Sequence, residues 1–264
     1  MFHLRQLSLT ALAAFILALT LSGIVEGQSA PKGVKNIVLV HGAYADGSSW
    51  AKVITILQAK GYNVIAVQNP LTSLADDVAA TKRAIALVDG PVLLAGHSSA
   101  GMVISEAGND PKVAGLFYVS ALIPNDGQSV ADVVEGHPAP GGNAETREDG
   151  SGFLLLTAKG INENFVQDLP EKERMLVYAL QIPWGKKFIT EKISKAAWKT
   201  RPSWCIVAAN DRSIDPNLER AEAKMIKAST IELPSAHVSM LSHPDKVAAF
   251  IVEASEKLSA NQNQ

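Results

Sequence analysis

Cysteine is almost absent from this chain. Cys205 stands alone among 264 residues, so no intramolecular disulfide can form and stability has to come from a packed core. It lies inside the apolar run Ser203-Trp204-Cys205-Ile206-Val207 and reads as core packing, not as a nucleophile. Basic clusters are also missing, and the formal net charge is -2. Neither nucleic acid nor an anionic membrane surface is therefore an expected partner. The sequence holds no internal repeat, and its only low-complexity tract is the polar tail Asn261-Gln262-Asn263-Gln264. No histidines or cysteines fall at metal-ligand spacing. Gly96-His97-Ser98-Ser99-Ala100-Gly101 follows an apolar run but lacks the G-x-G-x-x-G spacing of a dinucleotide site. No metal and no cofactor is expected.

What is present suits one globular domain with a sizeable core, since 47% of residues are hydrophobic and 19% charged. The N-terminus stands apart. His3 and Arg5 precede an uncharged apolar run from Leu7 to Leu21, and small or polar residues follow through Gly27. That is the order of a secretory signal peptide over residues 1–27, with cleavage after Gly27. Cleavage after Ala30 is disfavoured because Pro31 would follow. An uncleaved membrane anchor is the alternative for this segment. No cysteine stands directly after the apolar run, which argues against a lipoprotein anchor. The expected location is periplasmic or extracellular, with no stable membrane association after cleavage. No oligomeric state is set by the sequence.

Residues 28–264 then alternate between two periods. Short apolar runs at Asn36–Val40, Val64–Val67, Pro91–Ala95, Val113–Val119, Ser203–Ala209 and Thr230–Leu233 read as buried strands. Between them lie helical patterns: one from Ser48 or Ser49 to Gly61, one from Ser73 to Asp89-Gly90, one ending at Asn109, and one from Pro216 to Lys227. A last helix starts near His243-Pro244 and runs to about Leu258. Strands alternating with amphipathic helices predict an α/β fold, a mostly parallel doubly wound sheet with helices on both faces. The alternation breaks between Pro124 and Arg201, which we read as a cap inserted over the strand ends. It holds a flexible stretch, Gly136 to Gly152, and helix-like patterns around Glu171–Leu180 and Thr190–Trp198. Among its apolar residues, Phe153, Leu154, Leu155, Phe165, Trp184 and Phe188 either line a pocket or pack the cap down. Trp184, in a turn beside Pro183 and Gly185, is the expected pocket residue.

Catalytic groups in such sheets gather at the carboxyl ends of strands. The run Pro91–Ala95 stops at Gly96-His97-Ser98 and helical spacing resumes at once. A strand that becomes a helix without a loop leaves its turn residue exposed on a strained corner, and here that residue is Ser98. Past two later strand ends lie Asp211 and His237. A serine hydroxyl needs a base to take its proton during attack, and the imidazole needs a carboxylate to fix its tautomer. The order Ser98, Asp211, His237 supplies all three. Asp126, after an earlier strand, is an alternative acid. Asp215 more plausibly caps the helix at Pro216. His97 reads as packing behind the site, His41 as a loop tie, and His243 as a capping or surface residue. Backbone N–H groups of Ser99 and Ala43 are the expected oxyanion donors, with Gly42 permitting the bend that aims Ala43.

The segments Val38-Leu39-Val40-His41-Gly42-Ala43, Gly96–Gly101, Asn210-Asp211-Arg212-Ser213-Ile214 and Ala236–Pro244 resemble the α/β-hydrolase superfamily. More narrowly, they are similar to the branch with plant methyl esterases, hydroxynitrile lyases and bacterial esterase-like members. The resemblance runs from Asn36 onward and is weakest in the cap. It implies nucleophile Ser98, acid Asp211, base His237, and oxyanion donors Ala43 and Ser99. It departs in two places. Ala100 stands where the elbow pattern has glycine, which should shift packing slightly. Val238 follows the histidine where the resembling lyases carry lysine, which favours an esterase. The expected activity is cleavage of small carboxylic esters through an acyl-enzyme on Ser98. A lyase-like or other activity on the same fold, or a non-catalytic exported binding protein, are the alternatives.

Overall fold

Consecutive strand residues point to opposite faces, so a strand apolar at every position needs a helical layer on each side. The computed structural model, which describes residues 32–141 and 145–260, has that arrangement. The expected signal segment 1–27 lies outside the described residues. Strands β1 (Asn36–Val40), β2 (Asn63–Val67), β3 (Val92–His97), β4 (Val113–Val119), β8 (Ser203–Ala208) and β9 (Ser229–Leu233) form one sheet in the order β2-β1-β3-β4-β8-β9. All five pairings within it are parallel. Helices α1 (Ala51–Ala59) and α6 (Pro244–Ala260) cover one face, where Ile37 and Leu39 pack with Val53, Leu57, Ile251 and Ala254. Helices α2 (Leu74–Ala86), α3 (Ala100–Ala107) and α5 (Pro216–Met225) cover the other, where Val38 and Val40 join Val78, Ile85, Met102 and Leu218. Each of these side chains larger than alanine contributes about 1.5–3 kcal/mol when fully buried. Half-exposed ion pairs such as Lys52–Glu173 add only about 0–1 kcal/mol, so the core dominates. Among the described residues no helix is long and apolar enough to cross a membrane.

Between β4 and β8 the chain leaves the sheet. It forms a small antiparallel sheet of β5 (Thr146–Glu148), β6 (Phe153–Leu156) and β7 (Trp184–Gly185), together with α4 (Glu171–Leu180). The stretch expected to be flexible therefore contains a strand. Asp149 Oδ1 accepts the N–H groups of Ser151 and Phe153 and tightens the turn into β6. The helix expected over Thr190–Trp198 does not form. A short helix ends at Thr190 and a 3-10 turn spans Ala197–Lys199. The intervening N–H groups bond outside the segment: Ser194 to Glu106, Ala196 to Asp126 and Ile193 to the Gln128 carbonyl. Those partners replace the i−4 carbonyls a helix would need. Asp46, and not Ser48 or Ser49, caps the 3-10 turn Gly47–Trp50 that leads into α1, accepting the Ser48 N–H. Ser73 and Asp215 cap α2 and α5 as their positions predict.

Gly101 explains why an alanine is tolerated just before it. A Cβ at Gly101 would lie 2.0 Å from the Leu122 carbonyl oxygen, whereas the Ala100 methyl is accommodated in the core. The close approach of α3 to the chain leaving β4 thus occurs at residue 101. Gly101→Ala should lower stability by about 1–3 kcal/mol, the usual cost of overpacking; an unchanged urea midpoint would contradict this.

Glu222, buried on α5, accepts the Ile123 N–H at 3.1 Å with Oε1, while Oε2 has no partner among the described residues. Burial pushes its carboxyl up to about 8. The folded state then holds a proton that the unfolded chain releases, so stability from this group is full below the ordinary carboxylate range and is lost as pH rises toward 8. Urea titrations across pH 5–8 should show a fall that is shallower in Glu222→Gln, by up to roughly 1.4 kcal/mol per pH unit. Parallel curves for the two proteins would refute the assignment.

Candidate active site

The order β2-β1-β3 places the ends of β1 and β3 side by side where the winding of the sheet reverses, the usual crevice of an open α/β sheet. β3 ends at His97 and α3 begins at Ala100, leaving Ser98 in a left-handed conformation with φ 57°. For a residue other than glycine this costs on the order of 1–3 kcal/mol and persists only where neighbours over-determine it. Here Ser98 N–H donates to Val119 O, and Ser98 O accepts from the N–H groups of Gly101 and Leu122, all between 3.0 and 3.2 Å. Gly42 completes the corner. A Cβ there would stand 2.7 Å from Ser98 Cβ and 3.3 Å from its Oγ, so only glycine lets the β1 loop lie against the turn.

His41 ties that loop down. Its Nε2 accepts the Asn69 N–H at 2.9 Å, so the ring hydrogen is on Nδ1, facing the Gly42 carbonyl, and Asn69 Nδ2 donates to the His41 carbonyl. Burial lowers the His41 pKa, as a neutral acceptor ring requires. The next N–H, of Ala43, donates to Ser99 Oγ at 2.9 Å. One of the two expected oxyanion donors is therefore covered by the side chain of the residue bearing the other.

On the far side, β8 runs into Asp211 and β9 into His237. Ala209 N–H donates to Leu233 O and Asn210 N–H to Ser235 O, which extends the strand pairing to the two loops. His237 Nδ1 bonds Asp211 Oδ2 at 2.5 Å, with both side chains all but sealed from water at 1% and 0% exposure. Asp211 Oδ1 takes the N–H groups of Ser213 and Ile214 at 2.6 and 3.0 Å. His97 Nε2 donates to the His237 carbonyl at 3.1 Å. Burial, with the neighbouring His237, holds the His97 pKa well below its ordinary value. Asp168, from the segment between β4 and β8, accepts the Ala236 N–H at 2.8 Å. Beneath the loop, the buried hydroxyls of Ser235 and Ser239 meet at 2.7 Å.

Ser98, Ser99, Ala43 and His237 line one cavity of about 410 Å³, and Asp211 stands behind His237. Trp184 lines it too, buried edge-on against Tyr44 at 5.8 Å. Of the other five apolar residues considered, Leu154 and Phe165 line the cavity. Phe165 packs 5.2 Å from the His237 ring, while Phe188 lies fully buried behind Trp184. Tyr44, Leu122, Val130 and Val134 line it without having been anticipated. Of the alternatives, Asp126 and His243 do not line this cavity, and Asp215, which does, is engaged as a helix cap. Asp126 binds Lys199 and the Ala196 N–H, Asp215 caps α5, and His243 bonds Ser242. A hydroxyl on a strained corner, an imidazole with one nitrogen held by a carboxylate, and a largely apolar cavity that Glu145, Arg212 and Asp215 also line together can support acyl transfer.

A model of the alpha/beta hydrolase family matches residues 37–250. A pyrethroid hydrolase of Sphingobium wenxiniae is 26% identical over 248 residues, covering 83% of this chain and 87% of that protein. Methylesterase 8 of Arabidopsis thaliana is 24% identical over 232 residues, covering 78% and 83%. The crystal structure of polyneuridine aldehyde esterase superposes with a TM-score of 0.71 at 20% identity, covering 84% of this chain and 99% of that one; at that identity it speaks to the fold.

Proposed function

The chain belongs to the alpha/beta hydrolase family, and from that premise we propose that it is a serine esterase cleaving small carboxylic esters through an acyl-enzyme on Ser98. The observation that carries this reading is the buried His237–Asp211 pair, whose imidazole lines one cavity with the strained Ser98. Asp211 keeps the ring hydrogen of His237 on Nδ1, so Nε2 has its lone pair free. Ser98 Oγ attacks the ester carbonyl carbon while Nε2 takes its proton. The negative oxygen that forms is received by the Ala43 and Ser99 N–H groups, the Ser99 hydroxyl giving up its bond to Ala43 as the oxyanion arrives. The alcohol leaves with the proton from His237. Water then attacks the acyl-enzyme, His237 takes a proton from it, and the acid departs with Ser98 restored.

The chain between β4 and β8 serves as the cap in this reading, Trp184 and Phe165 contributing an apolar wall that suits an uncharged acyl or alkyl group. Val238, lacking an amine beside His237, favours ester cleavage over a lyase reaction. Residues 1–27 act as an export signal, which places the enzyme in the periplasm or outside the cell.

Active-site labelling with a fluorophosphonate tests the nucleophile, and a panel of p-nitrophenyl and methyl esters of graded acyl length tests the substrate class. Ser98 should carry the label, and Ser98→Ala should lose roughly a thousandfold or more in kcat. Asp211→Asn should cost on the order of 10⁴-fold, through loss of the required tautomer. Turnover undiminished in Ser98→Ala, with no adduct on Ser98, would sink the proposal.

A further inference from the structure

Helix α5 carries a carboxyl group that the mechanism leaves unused. Glu219 sits one turn in from the Asp215 cap and faces the sheet, only 3% exposed. Its Oε2 accepts the N–H of Ala208, the last residue of β8, at 2.9 Å. Its Oε1 is buried and meets no N–H or cationic donor among the described residues, and the Glu219 side chain shares a hydrogen bond with the neighbouring carboxyl of Asp211. We propose that Glu219 is a positioning residue, a neutral carboxylic acid that donates its hydrogen to Asp211 and holds that carboxylate in line with His237.

Two carboxylates cannot share a hydrogen bond, so one of the pair must carry a proton. Asp211 is already equipped for its charged form, with N–H donors from Ser213 and Ile214 on Oδ1 and His237 on Oδ2. Glu219 has one N–H and no cation. Glu222, on the same helix, and Cys205, on β8, are the titratable groups packed around it, and neither offers positive charge. Arg220 turns outward to Glu232, at 2.7 and 3.0 Å, and to Asn217. The proton therefore belongs on Glu219, whose carboxyl is held well above the ordinary range by burial and by the charge of Asp211. A neutral donor orients Asp211 from behind without adding a second negative charge next to His237.

This inference rests on the esterase reading, and two variants separate its failure from failure of that reading. Glu219→Leu removes the donor and should lower kcat about 10- to 100-fold, the range for a lost hydrogen bond to a charged group. With one donor fewer, Asp211 becomes a stronger partner for the imidazolium, so the acid limb of kcat/KM should move to higher pH. Glu219→Gln keeps an N–H toward Asp211 and a carbonyl for Ala208, and should rescue most of that loss with the acid limb where the wild type has it. An ionised Glu219 predicts the opposite: Glu219→Gln would delete a negative charge beside His237 and move the acid limb to lower pH, which overturns the proposal. Wild-type kcat in Glu219→Leu also overturns it. Should Glu219→Leu not fold, the Glu219→Gln profile decides alone, together with an infrared difference spectrum in which a protonated-carboxyl band disappears; no such band in the wild type refutes the neutral acid. Fluorophosphonate labelling of wild-type Ser98 is run alongside, so that a missing label indicts the esterase reading and a normal label confines any failure to Glu219.

Discussion

The candidate site depends on burying the carboxyl of Asp211 with every one of its oxygens supplied with a donor. A buried anion without such donors costs several kcal/mol. Meeting that demand involves separate parts of the chain: the tight turn through Ser213 and Ile214, the end of β9 that delivers His237, and α5 packed behind. The backbone bonds that extend the β8–β9 pairing past Ala208 and Leu233 bring the two loops into that register. His97 and Asp168 then hold the His237 loop from either side. Removing any of these leaves a buried polar group unpaired, a cost that falls on geometry as well as stability.

The opposite wall of the site rests on steric constraint. Ser98 occupies a left-handed turn that three backbone bonds enforce, and two glycines make room for it. Gly42 lets the β1 loop touch the serine, and Gly101 lets α3 lie against the chain leaving β4. Strain at Ser98 is thus supported from both flanking elements. Across this wall the Ser99 hydroxyl accepts the Ala43 N–H, a bond that rotation about one side-chain torsion would release.

Much of this was legible in the sequence because both faces of the sheet are buried. Runs such as Asn36–Val40 and Val113–Val119 are apolar for that reason, and three further runs, Pro91–Ala95, Ser203–Ala209 and Thr230–Leu233, end shortly before Ser98, Asp211 and His237. Side-chain competition for backbone donors was not legible: Glu106 and Asp126, distant in sequence, unwind the pattern at Thr190–Trp198 by bonding its N–H groups. Tyr44 was missed because a bulky residue at φ 60° carries no local signature. The buried acids of α5 were hidden by their charge, which ordinarily marks the solvent face. A signal was present, however, since Leu218, Glu219, Glu222 and Ala223 all fall on one helical face and all are buried.

The central claim is that Ser98 forms a covalent acyl intermediate. It is tested most directly by acid-quenching the protein during turnover of an activated p-nitrophenyl ester and mapping the mass of its peptides. The account predicts a gain of one acyl group on the peptide bearing Ser98, absent in Ser98→Ala. Hydrolysis of the same ester with the acyl group on another residue, or with no acyl group retained and the rate unaltered in Ser98→Ala, would contradict it.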